Sequence, residues 1–124
     1  MADTVATQTI YSGINRKTLV FTNLSDGTGE SGVTKVDISA LSGAPSKVRI
    51  NYLSWSCEGM AVQVLFDHNA DDLAIVLGGH GEHDFRPWGG YHDPASAGGT
   101  GDILFTTYGH TAGDSYSILM EIEW

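Results

Sequence analysis

The sequence predicts an all-β fold, an antiparallel β-sandwich of jelly-roll type with about eight short strands and glycine-rich loops. Apolar and polar residues alternate with period two in several short segments, which is typical of strands that bury one face. Sixteen glycines among 124 residues, about twice the average usage, fall in clusters between these segments. No stretch shows ten or more residues of helical periodicity.

The clearest strand pattern closes the sequence, where five apolar residues share one face: Tyr116, Ile118, Met120, Ile122 and Trp124. Further strands are predicted from alternation or from β-branched and aromatic content in residues 17–23, 35–40, 61–67 and 101–108. Residues 71–77 are short for a helix and place Leu73, Ile75 and Leu77 on one side, so they are also predicted to form a strand.

The segment 47–57 changes the parity of its apolar residues. The first apolar set is Val48, Ile50 and Tyr52, and the second is Leu53, Trp55 and Cys57. One extra residue inserted into a strand produces such a shift, so a β-bulge is predicted near Tyr52 and Leu53.

We expect one sandwich domain over residues 17–124, preceded by an N-terminal arm over residues 1–16. Residues 1–12 form strands readily but have no obvious hairpin partner, and Gly13 separates them from the next strand. Such an arm can add to the sheet edge of another protein. The alternative is that it pairs at the edge of its own sandwich.

Two segments supply candidate partner contacts. The longest irregular stretch, residues 84–99, carries large aromatic residues that favour contact with another molecule. The alternative is that this loop packs its aromatic side chains into its own domain. Together with the arm, it gives the predicted contact residues Val5, Thr7, Thr9, Ile10, Tyr11, Trp88 and Tyr91.

Charge and cysteine content exclude several function classes. Six Lys and Arg stand against fifteen Asp and Glu, a net charge of −9, and the six cations are scattered along the sequence. No nucleic-acid or membrane partner is therefore expected. A single cysteine, Cys57, cannot form an internal disulfide, and no secretory signal or apolar membrane-spanning run is seen, so folding inside a cell is expected.

Two local motifs resemble known binding loops. Residues 27–32 match the dinucleotide pattern G-x-G-x-x-G, but a strand pattern follows where that chemistry needs a helix N-terminus. Residues 67–72 resemble the start of a calcium loop, but Asp72 and Gly78 stand where an EF-hand needs Gly and Glu. A self-capped turn is the favoured interpretation, and a shallower calcium site using Asp67, Asn69 and Asp71 is the alternative.

No catalytic residue, metal site or cofactor is predicted. His80, Glu82 and His83 offer two imidazoles and a carboxylate, as a cupin-like enzyme would need, but no further ligand is placed by the sequence. The serine nucleophile motif of hydrolases is absent from the sequence, and no pair among the fifteen carboxylates is singled out for glycosidase chemistry.

Several segments are similar to those of small structural proteins from tailed-phage virions. The likeness covers about residues 17 to 122 and rests on many short matches: Phe21 to Ser31 (FTNLSDGTGES), Val33 to Asp37 (VTKVD), Leu65 to His68 (LFDH) with Asp71 and Asp72, Asp84 to Arg86 (DFR), Gly101 to Ile103 (GDI) continuing to Thr107, Gly109, and Gly113 to Ile118 (GDSYSI).

This resemblance implies a head decoration, or cement, protein. Such a protein is β-rich and usually trimeric, folds in the host cytoplasm and docks on the outside of the assembled capsid. The implied partners are the major capsid protein and two further copies of the chain. The family has no catalytic residues to transfer. A carbohydrate-binding jelly-roll module that uses Trp88, Tyr91 and the turn at residues 67–72 is the alternative function, since aromatic faces stack on sugars.

Overall fold

The computed structural model describes residues 4–27, 29–38, 41, 48–67, 72–92, 102–109 and 111–124. This part of the chain contains eight strands and a short 3₁₀ helix at Arg86–Trp88. The strands are β1 (Thr4–Ser12), β2 (Arg16–Leu24), β3 (Val33–Val36), β4 (Arg49–Phe66), β5 (Asp72–Asp84), β6 (Tyr91–His92), β7 (Ile103–Tyr108) and β8 (Ser115–Glu123).

All strand pairs are antiparallel, and the sheet folds over on itself through the long β4–β5 hairpin. The first half of β4 pairs with β8, which continues to β2 and β1, and its second half pairs with β7, which continues to β3. The pairing of β4 with β5 shifts register between Ser56 and Ala61. Gly59 has φ +79° and Gly79 has φ +60° at this bend, a backbone conformation that residues with side chains rarely adopt.

The result is a sandwich of two layers. The first layer contains β1, β2, β8 and the first half of β4, and the second contains β3, β7 and the second half of β4. Phe21 on β2 meets Phe105 on β7 edge to face at 5.1 Å between ring centroids, so the two layers share one core. The prediction of an all-β antiparallel sandwich is confirmed.

Most strand predictions hold with shifts at the ends, but the strand predicted over residues 35–40 ends at Val36, and residues 39 and 40 lie outside the described part of the chain. Ile118, Met120 and Ile122 are fully buried on β8, as the alternation predicted. Residues 72–77 belong to strand β5, and the bulge of β4 lies at Asn51, between the paired residues Ile50 and Tyr52. Residues 47–57 and 61–67, which the sequence suggested as separate strands, join in one continuous strand of eighteen residues.

The prediction of a detached arm over residues 1–16 is wrong for the described residues. Thr4–Ser12 forms β1 and pairs with β2 of the same chain, from Thr4 opposite Leu24 to Ser12 opposite Lys17. Gly13 and its neighbours make the turn of this hairpin, in which the Gly13 N–H donates to the carbonyl of Arg16 at 2.7 Å. The alternative interpretation, pairing at the edge of its own sandwich, is the one observed.

Candidate functional site

Strand β1 is an edge strand without charge. It pairs with β2 on one side, and no other described strand pairs with it on the other. Residues 4–15 contain no Asp, Glu, Lys or Arg. Edge strands usually carry charges, prolines or bulges that oppose pairing with other chains, and β1 has only a bulge at Ile10. Its backbone edge can therefore accept a further strand.

The hairpin of β1 and β2 also exposes a group of large apolar side chains. Val5 is 47% exposed, Ile10 61%, Tyr11 54% and Ile14 88%. Four exposed apolar side chains within ten residues of sequence are more than the isolated ones that a monomeric surface commonly carries. The hairpin therefore combines a free backbone edge with an apolar surface.

The predicted contact residues of β1 lie on both of its sides. Val5, Thr7 and Thr9 are paired with Asn23, Phe21 and Leu19, whose side chains are buried, so these three lie on the inner side of the strand. Ile10 is the bulge residue. Beyond the bulge, Tyr11 is paired with Thr18, which lies on the opposite side of β2 from Leu19.

The inner side of β1 borders an open groove of about 220 Å³. The groove lies between the β1–β2 hairpin and strand β3, and its lining residues are Thr7, Thr9, Lys17, Leu19, Lys35, Val36, Asp37 and Leu41. Two of the predicted contact residues, Thr7 and Thr9, thus face a depression in the surface of the sandwich.

Trp88 ends the 3₁₀ helix and projects outward. Its side chain is 77% exposed. Pro87 lies within this helix, and the following Gly89 has φ +77°, a left-handed conformation that ends the turn. The turn is thus defined by its own backbone while it presents one large aromatic side chain to the surroundings.

Tyr91 occupies a different environment from Trp88. Its ring is half-buried and packs edge to face on Phe85 at 5.3 Å, and it lies 5.9 Å from the ring of Phe66. Its hydroxyl donates a hydrogen bond of 2.5 Å to the carbonyl of Ala74. Tyr91 therefore belongs to the packing of its own domain, whereas Trp88 is available for contact.

A groove lined by Arg16, which follows the β1–β2 turn, and by Gly89, which follows Trp88, brings together all three arginines of the chain. Arg49 pairs with Glu123 at 2.6 Å, and Arg16 pairs with Glu121 at 3.3 Å. Arg86 pairs with Asp84 at 2.9 Å. Asn51 and Arg49 donate hydrogen bonds to the carboxylate of Glu123, which lowers its pKa below the ordinary value.

The sequence alone did not suggest this arginine cluster, because Arg16, Arg49 and Arg86 are far apart along the chain. Strands β2 and β4 pair with the two opposite edges of β8. This pairing places Arg16 and Arg49 beside the same Glu123. The cluster is balanced by carboxylates, so it forms a charged link between two surface turns and does not form a basic patch.

A second polar cluster is buried around the side chain of Glu30. The carboxylate of Glu30 pairs with Lys35 at 2.5 Å, and both side chains are about one-twentieth exposed. Asn23 and Tyr116 donate to the same carboxylate at 2.8 and 2.5 Å. The backbone of Glu30 also exchanges hydrogen bonds with Thr107. These contacts fasten the loop between β2 and β3 to the sandwich, which identifies the cluster as structural.

The loop at residues 27–32 is followed by strand β3, not by a helix. The prediction that a strand follows this motif is therefore confirmed. The turn considered for calcium lies mostly outside the described residues, since only Asp67 and the backbone of Asp72 belong to them.

The three residues considered for a cupin-like metal site do not all lie on one side of β5. His80 and Glu82 lie on one side of β5, paired with Ser56 and Ser54, and His83 lies on the other side, paired with Leu53. Burial raises the pKa of the Cys57 thiol to about 11. No group of three or more His, Cys, Asp or Glu side chains suited to a metal ion occurs among the described residues.

No protein-family model matches the chain, and no curated protein matches it. In the described part of the chain, no helix has the length and apolar character needed to cross a membrane.

Proposed function

We propose that the protein is a decoration, or cement, subunit of a tailed-phage head, which binds the outside of the assembled shell and stabilises it. The observation that carries this proposal is the uncharged, exposed edge strand β1. A decoration subunit needs an adhesive surface on a stable scaffold, and β1 offers both unpaired backbone groups and apolar side chains. The proposed partner is the major capsid protein.

The proposed mechanism is preferential binding to the assembled shell. A subunit that contacts neighbouring capsid proteins binds the lattice and not the separated proteins, so it stabilises the lattice by mass action. The proposed state is a homotrimer that folds in the host cytoplasm and becomes part of the virion exterior. The net charge of −9 supports solubility before assembly.

Trp88 is the second proposed contact. Fully burying a large aromatic side chain in an interface contributes about 2 kcal/mol or more when it is a dominant contact. Trp88 is 77% exposed, so most of its surface is available for such burial. The arginine groove joins the segment that carries Trp88 to the β1–β2 turn, which would let one partner contact both.

Binding to isolated heads tests this proposal. Heads from a phage lacking this chain are titrated with the wild-type protein and with an Ile10→Asp/Tyr11→Asp variant. We expect wild-type protein to saturate the heads and the variant to bind at least tenfold more weakly. Val76→Asp is the control, since Val76 is 50% exposed on β5 in a different part of the sheet. Failure of wild-type protein to bind the heads would contradict the proposal.

The carbohydrate-binding alternative has less support. Trp88 is exposed and can stack on a sugar ring, but Tyr91 donates its hydroxyl to Ala74 and packs on Phe85. Tyr91, the second aromatic residue named for sugar binding, therefore does not provide a free ring face beside Trp88. A thermal-shift screen against glycans distinguishes the two functions, because only a glycan binder gains stability there.

A further inference from the structure

Strand β4 pairs with β5 along one edge. Counted outward from its other edge, the first layer of the sandwich has one more strand than the second layer. The first layer continues from β4 through β8 and β2 to β1, which is three strands. The second layer continues through β7 to β3, which is two strands, and no other described strand pairs with β3. Strand β1 therefore has no counterpart in the second layer among the described strands.

The groove beside β1 is bordered by β3, the last described strand of the second layer. Its floor contains the buried side chains Leu19, Val36 and Leu41, and Thr7 and Thr9 of β1 form one wall. Polar residues surround an apolar floor, which suits an extended segment that directs alternate side chains inward. The nearby β3 supplies backbone groups along the edge away from β7.

Charge in the groove indicates the chemistry of the occupant. Lys35 lines the groove and is already paired with Glu30. Lys17 also lines it, is half-buried, and forms no ion pair within the described part of the chain. Asp37 is the groove's acidic residue and has its own interactions. A half-buried lysine that forms no ion pair with any described residue favours a carboxylate on the incoming segment.

We propose that this groove receives an extended segment of a capsid subunit, which pairs with the edge of β3 that no described strand covers and directs a carboxylate toward Lys17. The segment places apolar side chains on the floor and completes the second layer beneath β1. This inference rests on the proposed function for the identity of the partner. It goes beyond that function by naming the docking mode and the charge of the docking segment. A second copy of β1 fits less well, because residues 4–15 carry no acidic side chain.

Three variants test the groove on isolated heads. Thr9→Arg fills the groove and Lys17→Glu reverses its charge, and each is expected to weaken binding at least tenfold. Val76→Arg is the control, since Val76 is exposed on β5 and lies outside both the groove and β1, and it should bind within twofold of wild type. Melting temperatures verify that the variants are folded. Groove variants that bind heads as tightly as wild type would overturn the inference.

A measurement without heads separates this inference from the proposed function. A displayed library of random octapeptides is selected on immobilised wild-type protein. We expect enriched peptides to alternate apolar residues, to carry Asp or Glu, and to bind Thr9→Arg at least tenfold more weakly. If such peptides are enriched but the wild-type protein does not bind heads, the capsid function is refuted, whereas the inference that the groove binds an extended segment still holds. Enrichment that is equal on Thr9→Arg would refute the groove.

Sedimentation of the same variants tests the competing occupant. The wild-type protein and Thr9→Arg should have the same oligomeric state if the groove receives a segment from a different protein. An oligomer that dissociates only in Thr9→Arg and Lys17→Glu would show that a second copy fills the groove, and the inference would be wrong.

Discussion

Replacing Lys35 with methionine tests the structural role of the buried polar cluster. The substitution keeps most of the aliphatic side chain and removes the ammonium group, which lies 2.5 Å from the Glu30 carboxylate. Breaking a buried ion pair from one side costs about 3–5 kcal/mol because the other charge stays buried. Asn23 and Tyr116 still donate to Glu30, so we expect the lower end, about 3 kcal/mol.

Denaturant unfolding with a constant m-value measures this cost, and calorimetry gives the matching shift in Tm. With an unfolding entropy of about 2.1 cal/mol/K per residue, a loss of about 3 kcal/mol lowers Tm by about 12 °C in a chain of this length. Arg86→Met is the control, because Arg86 and Asp84 form an ion pair with both side chains about half exposed. Its removal should cost less than about 1 kcal/mol.

A double variant shows whether the cost arises from the unpaired charge. Glu30→Gln/Lys35→Met removes both charges, while the amide that replaces the Glu30 carboxylate keeps an oxygen that can accept from Asn23 and Tyr116. The double variant should therefore be less destabilised than the sum of the two single variants. A cost below about 1 kcal/mol for Lys35→Met would refute the reasoning, and additive single costs would show that the pair is not coupled.

Three further predictions concern the bend, the acid response and the thiol. Gly59→Ala should destabilise by about 1–3 kcal/mol in denaturant unfolding, because Gly59 has φ +79° and its added Cβ would overlap the Asp114 carboxylate. Gly78→Ala, whose Cβ would meet nothing within 4 Å, should be nearly neutral. Because hydrogen bonds from Asn51 and Arg49 lower the pKa of Glu123, its stabilising contribution is present above the ordinary Glu pKa and is lost as pH falls through the lowered value. The stability difference between wild type and Glu123→Gln should therefore shrink in acid, and a constant difference would contradict this. Cys57, with its pKa raised to about 11, should react with a thiol reagent at pH 8 only upon unfolding, and rapid labelling of the folded protein would contradict its burial.

Local patterns in the sequence predict the strands because a strand with one buried face must alternate. Ile118, Met120 and Ile122 are fully buried on β8 for this reason. The parity shift near Tyr52 likewise predicts a bulge, which the structure places at Asn51. These features depend on residues that are adjacent in sequence.

Three features were not predicted: two because a glycine was misinterpreted, and one because it depends on distant segments. Strand β1 and its partner β2 are neighbours in the sequence, but Gly13 suggested a flexible joint and in the structure belongs to a hairpin turn. The continuous β4 was missed because Gly59 interrupts the alternation at the bend. The arginine cluster depends on strand order, which period-two patterns do not specify.

Cryo-electron microscopy of intact heads that carry this chain is the most direct test of the proposed function. We expect β-sandwich density on the outside of the shell, with β1 and Trp88 at the contact with the capsid and an extended capsid segment between β1 and β3. Heads without this density, or density attached through a surface that leaves β1 fully exposed to solvent, would contradict it.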